Sequence, residues 1–261
     1  MQTDQRVRSH IDAGGVRTYY ECEGDGPPVV LLHGGACTIE TWGPQWAALA
    51  SRYRVYAPER RGHGRTPDIA GPITYEAMAD DTIAFMAAMK LASAHVIGWS
   101  DGALVGLLVA MKRPELVTKL GYLSQPINFA GLTPKFREMS QHLTRHHLPP
   151  QLERAYAAVS PDGPDHWPVV ADKLVELWRR DPEIALTSLA SVTIPVLVVV
   201  GDDDLHAVPH AVDMQRAFPA ARLAVVPGAS HALAMEKPEI VNPILLDFLA
   251  ADPRAKLFAA G

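Results

Sequence analysis

Ala94-His95-Val96-Ile97-Gly98-Trp99-Ser100-Asp101-Gly102-Ala103 passes from an apolar strand pattern, through a turn bracketed by two glycines, into a small-residue helix. The helical pattern continues from Ala103 to Lys112 and is stopped by Pro114. A serine at so sharp a strand-to-helix turn is forced into a sparsely allowed backbone conformation, which projects its hydroxyl above the sheet edge. The residues two before and two after it must be small, because side chains there would strike the strand or the helix. Gly98 and Gly102 meet that need. Taken alone, the pentapeptide also fits a glycine-rich turn with an incidental serine, so the rest of the chain has to arbitrate.

Working outward, strand-length apolar runs alternate with helical patterns. Val16 to Cys22 reads as an early strand on an antiparallel edge. Pro28 to His33 is a continuous apolar run, as expected of a strand buried on both faces. Pro44 to Ser51 fits a short helix, Tyr53 to Ala57 a strand, and Thr74 to Lys90 a helix with Thr74 as its N-cap. Beyond the serine turn, Leu116 to Leu123, Val196 to Val200 and Leu223 to Val226 read as strands. Val208 to Phe218 and Pro238 to Ala250 read as helices. Such alternation implies right-handed crossovers and a mostly parallel sheet covered on both sides. From Gln125 to Ser191 the rhythm breaks, leaving only helical pieces cut by prolines. This predicts a core of residues 1–124 and 192–261 with a helical insertion over 125–191. The tail from Asp252 to Gly261 has weak pattern and is expected to fray.

The 261 residues carry 24 Lys and Arg against 29 Asp and Glu, a net charge of −5, with no basic block. That argues against nucleic-acid binding, which needs a clustered positive face. No run is long and apolar enough to span a bilayer, and the start, Met1 to Arg6, is polar without a signal-peptide pattern. The expectation is a cytoplasmic protein with no membrane partner. Two cysteines, Cys22 and Cys37, are too few for a disulfide framework or a zinc site, so two free thiols and no metal are expected.

A serine hydroxyl is a poor nucleophile and needs a base within hydrogen-bond reach, on a loop at the same carboxyl edge of the sheet. Of 11 histidines, His231 in Pro227-Gly228-Ala229-Ser230-His231 lies between the last strand and the last helix. His206 and His210 are the competitors, but they flank the expected acid too closely to partner it first. The carboxylate that orients the imidazole is sought in Gly201-Asp202-Asp203-Asp204. The loop has to turn before a side chain can point back, which ranks Asp204 first, Asp203 second and Asp202 third. The end of the preceding strand, Leu123-Ser124-Gln125-Pro126, offers no carboxylate. His33-Gly34-Gly35-Ala36 follows a strand and lets backbone approach a substrate closely. The N–H groups of Gly35 and of Asp101, the latter at a helix N-terminus, are the candidate oxyanion donors.

The order Ser100, Asp204, His231 resembles the serine-nucleophile esterases and lactonases of the α/β-hydrolase superfamily. Ala57-Pro58-Glu59-Arg60-Arg61-Gly62-His63-Gly64-Arg65 and Gly228 to Glu239 are similar to the family as well. The resemblance implies an eight-stranded, mostly parallel α/β sheet with helices on both faces and a cap at the 125–191 insertion. It also implies no cofactor. The pentapeptide itself resembles that of biphenyl-hydrolase-like enzymes, which favour substrates with a free amino group. An Asp101 side chain facing the pocket would suit such a group; a plain dipole-stabilised carboxylate is the competing reading.

The chemistry that follows is hydrolysis of a small carboxylic ester or lactone through an acyl-enzyme. Trp99, Phe129 and Trp167 are candidate pocket residues, with Phe136, Tyr156 and Trp178 as further cap aromatics. The same residues would serve a C–C bond hydrolase, a perhydrolase or a small-molecule receptor of the same fold. A haloalkane dehalogenase is disfavoured, because position 100 is not a carboxylate.

Overall fold

A computed structural model describes residues 6–250. The chain opens with strands β1 (Val7–Ala13), β2 (Val16–Glu23) and β3 (Pro28–Leu32). Helix α1 (Gly43–Ala50), strand β4 (Arg54–Pro58) and helix α2 (Tyr75–Ala88) follow, then β5 (Ala94–Trp99), α3 (Asp101–Lys112) and β6 (Val117–Leu123). Helices α4 (Pro134–Gln141), α5 (Pro150–Val159) and α6 (Trp167–Arg180) come next. The chain then returns to the sheet with β7 (Val196–Gly201), α7 (Val208–Ala217), β8 (Ala221–Val226), α8 (Leu233–Glu236) and α9 (Pro238–Leu249).

The eight strands lie in the order β1-β2-β4-β3-β5-β6-β7-β8. β2 pairs antiparallel with β1 and with β4, and the remaining pairs are parallel. The expected antiparallel edge at Val16 therefore needs correction: β1 is the edge, and β2 is paired on both sides. β1 escaped the pattern reading because only Ala13 in it is buried, so it lacks a buried apolar face. The predicted tail at 252–261 lies outside the described residues.

Successive side chains of a strand point to opposite faces, and β3 shows the consequence. Val30 and Leu32 join the core on one side of the sheet with α2, α3, α6 and α7. Val29 and Leu31 join the core on the other, with α1, α8 and α9. All six residues of β7 are buried, which explains its unbroken apolar run. Thr74 caps α2 by accepting a hydrogen bond from the Ala77 N–H at 3.1 Å.

From β3 the chain crosses one way to β4, and β5 lies on the other side of β3. This reversal opens a crevice at the carboxyl ends of β3 and β5, where ligands of open α/β sheets bind. Residues 125–191 hold α4, α5 and α6 joined by loops and single turns, with isolated bridges Asn128–Glu183 and Leu132–His206. Among the described residues no helix is long and apolar enough to cross a membrane.

Candidate active site

Ser100 sits between β5 and α3 with φ 54° and ψ −128°, outside the usual right-handed and extended regions. Sterics hold the turn in place. A Cβ on Gly98 would lie 2.1 Å from the Gly102 carbonyl oxygen, and one on Gly102 would lie 2.0 Å from that of Leu32. Both obstacles are backbone, so neither can yield cheaply. Gly102→Ala is expected to lower stability by about 3 kcal/mol and to abolish activity, as read by urea unfolding and ester assay. A wild-type midpoint would contradict the steric account.

Three loops at the carboxyl edge converge on the serine. His231 Nε2 lies 2.9 Å from Ser100 Oγ, and His231 Nδ1 lies 2.9 Å from Asp204 Oδ1. Asp204 is 6% exposed and its Oδ1 also accepts the His206 N–H at 3.2 Å. Burial pushes its carboxyl up, but the hydrogen bond and charge of His231 outweigh that and hold it below its usual value. Its neighbours have other positions. Asp203 is exposed, while Asp202 Oδ1 accepts the N–H groups of Gly228 and Ala229 and so braces the His231 loop. Ser230 ties the same loop to Glu236 through its N–H and hydroxyl, at 2.8 and 2.6 Å. His206 and His210 stack edge-on at 5.5 Å, and neither hydrogen-bonds Ser100; burial pulls His206 down to about 3 and keeps it neutral.

Gly35 and Asp101 flank the serine from the ends of β3 and β5. The approach is close: a Cβ on Gly35 would sit 2.2 Å from Asp101 Oδ2. The N–H of Asp101, the first residue of α3, has no carbonyl partner within its own helix. The Asp101 side chain is buried at 3% exposure. The Tyr75 hydroxyl donates to its Oδ1 and the Trp178 indole N–H to its Oδ2, both at 2.8 Å. Trp178 thus ties α6 to the residue that follows the serine.

A cavity of about 570 Å³ opens over these groups. Ser100, His231, Asp101 and Gly35 lie along its wall, and Phe129, Phe136, Leu152 and Trp178, all between residues 125 and 191, complete it. Trp99 lines it too, and its indole N–H donates to the His231 carbonyl at 2.7 Å. Trp167 requires a correction. It packs on Tyr156 with ring centres 5.5 Å apart and does not line this cavity. It lies eleven residues, about 16 Å of helix, before Trp178, on the same stripe of α6 but at the wrong end. Cys37 lines the cavity as a free thiol, which burial pushes up to about 12. Among the described residues no group of three or more His, Cys, Asp or Glu side chains is placed to hold a metal ion.

Two participants went unread in the sequence. Tyr75 opens α2 and gave no signal beyond a helix start. Arg60 belongs to the Ala57–Arg65 stretch, but its burial beside His33 cannot be seen in spacing.

Residues 29–244 match the family model described as "Alpha/beta hydrolase family". The chain belongs to this family of hydrolases. It is 29% identical to the serine hydrolase BPHL of Homo sapiens, over 92% of this chain and 85% of that one. It is likewise 29% identical to the pimeloyl-[acyl-carrier protein] methyl ester esterase of Aeromonas hydrophila, over 87% and 96%. Its fold matches the enol-lactonase of Burkholderia xenovorans LB400 with a TM-score of 0.75 at 23% identity, covering 92% of this chain and 99% of that one.

Proposed function

We propose that this hydrolase cleaves small carboxylic esters or lactones with an apolar acyl or alcohol part, using Ser100 as its nucleophile. The observation that carries the reading is the hydrogen-bonded line Asp204–His231–Ser100 at the wall of a largely apolar cavity. Ser100 Oγ attacks the substrate carbonyl while His231 Nε2 takes its proton. Asp204 fixes the imidazole with Nδ1 protonated and stabilises the imidazolium that forms. The N–H groups of Gly35 and Asp101 hold the tetrahedral oxyanion. His231 then gives its proton to the leaving alcohol, and a water activated by the same imidazole releases the acid from Ser100. Residues 125–191 act as a cap over a core of 1–124 and 192–261, supplying Phe129 and Trp178 to the pocket.

The test is labelling with a fluorophosphonate, then peptide mapping, beside a panel of aryl esters, lactones and amino-acid esters with free or acylated amines. Labelling at Ser100 with turnover of neutral apolar esters is expected. Label on another residue, or none, rejects the nucleophile. A marked preference for free amines assigns the Asp101 carboxylate to an ammonium group in addition to Tyr75 and Trp178.

A further inference from the structure

Behind the Gly34–Gly35 peptide lies a buried cation. Arg60, just beyond β4, is 3% exposed. Its Nη1 donates to the His33 carbonyl at 2.5 Å and its Nη2 to the Gly34 carbonyl at 3.1 Å. The Gly34 carbonyl also accepts from His33 Nδ1 at 2.7 Å and from the Cys37 N–H at 3.4 Å. One tautomer of His33 fits, because its Nε2 accepts the Arg60 N–H at 3.2 Å and so leaves the proton on Nδ1. Burial, then the Arg60 charge, hold His33 well below its ordinary value, so it stays neutral.

Three donors on one carbonyl exceed what holding a loop requires. The Gly34 carbonyl and the Gly35 N–H are the two ends of one conjugated peptide unit. Drawing electron density onto the oxygen leaves the N–H more positive, and a low-dielectric surrounding enlarges the effect. Among the described residues no carboxylate lies within ion-pair distance of Arg60. The Asp101 carboxylate still acts on it: burial pulls Arg60 down to about 10 and the Asp101 charge opposes that pull. Arg60 is therefore a cation at neutral pH. Burying a guanidinium without a paired carboxylate is costly, and a neutral amide could bond the same carbonyls without that cost.

We propose that Arg60 is a positioning residue of the oxyanion hole, whose buried charge acts through the Gly34–Gly35 peptide to strengthen the Gly35 N–H as a donor to the tetrahedral oxyanion. This rests on the reading of Ser100 and Gly35 given above. It makes Arg60 matter in the transition state and little in substrate binding.

The experiment compares the full chain with R60M and R60K, using steady-state hydrolysis of an aryl ester and inhibition by a trifluoromethyl ketone of matching acyl group. That ketone forms a hemiketal oxyanion on the serine, which ¹⁹F NMR reports directly. R60M is expected to lose roughly 10- to 100-fold in kcat, somewhat less than removal of a whole oxyanion donor, with KM within about threefold. Its affinity for the ketone should fall by the same factor as kcat, and R60K should recover most of both. If R60M does not fold, R60M/D101N removes both buried charges and is compared with D101N alone, where the same loss is expected. A folded R60M with kcat unchanged, a loss confined to KM, or an R60K as poor as R60M makes Arg60 a mere strut and overturns the proposal. A wild-type protein that forms no hemiketal on Ser100 overturns the underlying reading, and this one with it.

Discussion

Ser100→Ala is expected to cut ester hydrolysis by about 10⁴- to 10⁶-fold while leaving the thermal unfolding curve in place. Nothing in the fold leans on the hydroxyl: its one hydrogen-bond partner among the described side chains is His231 Nε2. The backbone of the turn is fixed by other contacts, with the Ser100 N–H donating to the Leu123 carbonyl at 2.9 Å and the Ala103 N–H to the Ser100 carbonyl at 2.8 Å. Alanine keeps those bonds and keeps the left-handed φ of 54°. A glycine at the same place would relieve that φ and is expected to raise stability by about 1 kcal/mol with equally dead chemistry. The pair separates function from fold, because one substitution is neutral, the other stabilising, and both are inactive. Circular dichroism melts and an aryl ester assay read the two quantities. An alanine variant that still turns over at the wild-type rate removes Ser100 from the mechanism.

The sequence carried the sheet well, for a physical reason. β3 and β7 are covered on both faces, so they appear as unbroken apolar runs between turns, and β5 and β6 are broken only near their starts, by His95 and by Thr118 and Lys119. β1 has one buried residue and left no such trace. The residues at the carboxyl edge were legible through topology, since Gly35, Ser100, Asp204 and His231 each follow a strand of the parallel region. What lay hidden was tertiary. The Trp178 indole reaches Asp101 across 77 residues of sequence, and periodicity places Trp178 and Trp167 on one stripe without saying which end of α6 meets the cavity. Arg60 could not be placed either, because a buried arginine and an exposed one look alike in a motif. In sequence only one turn of loop separates Asp202, Asp203 and Asp204, whereas in the fold their surroundings are distinct: a brace for the His231 loop, open solvent, and the imidazole itself.

That separation makes the adjacent aspartates a controlled comparison. Asp204→Asn is expected to lose about 10⁴-fold in kcat, and Asp203→Asn to stay within about twofold, as surface changes do. An asparagine at 204 keeps the volume but presents either an amide N–H or a neutral oxygen to His231 Nδ1, so it no longer selects the Nδ1–H tautomer or balances the imidazolium. The same substitution has a signature in stability. The folded-state carboxyl of Asp204 is held below its unfolded value, so its contribution is complete above the unfolded value, about 3.9, and is lost as pH falls through the lower folded one. Wild type should therefore lose stability on acidification through that window, and Asp204→Asn should lose less, a difference that denaturant titrations at pH 3 and pH 6 will show. Asp203 is exposed, and its substitution should leave that acid limb as it is in wild type. Were the two variants to exchange behaviour in rate and in acid sensitivity, the acid of the triad would have to be moved to Asp203, and the 2.9 Å contact between Asp204 and His231 would be structural only.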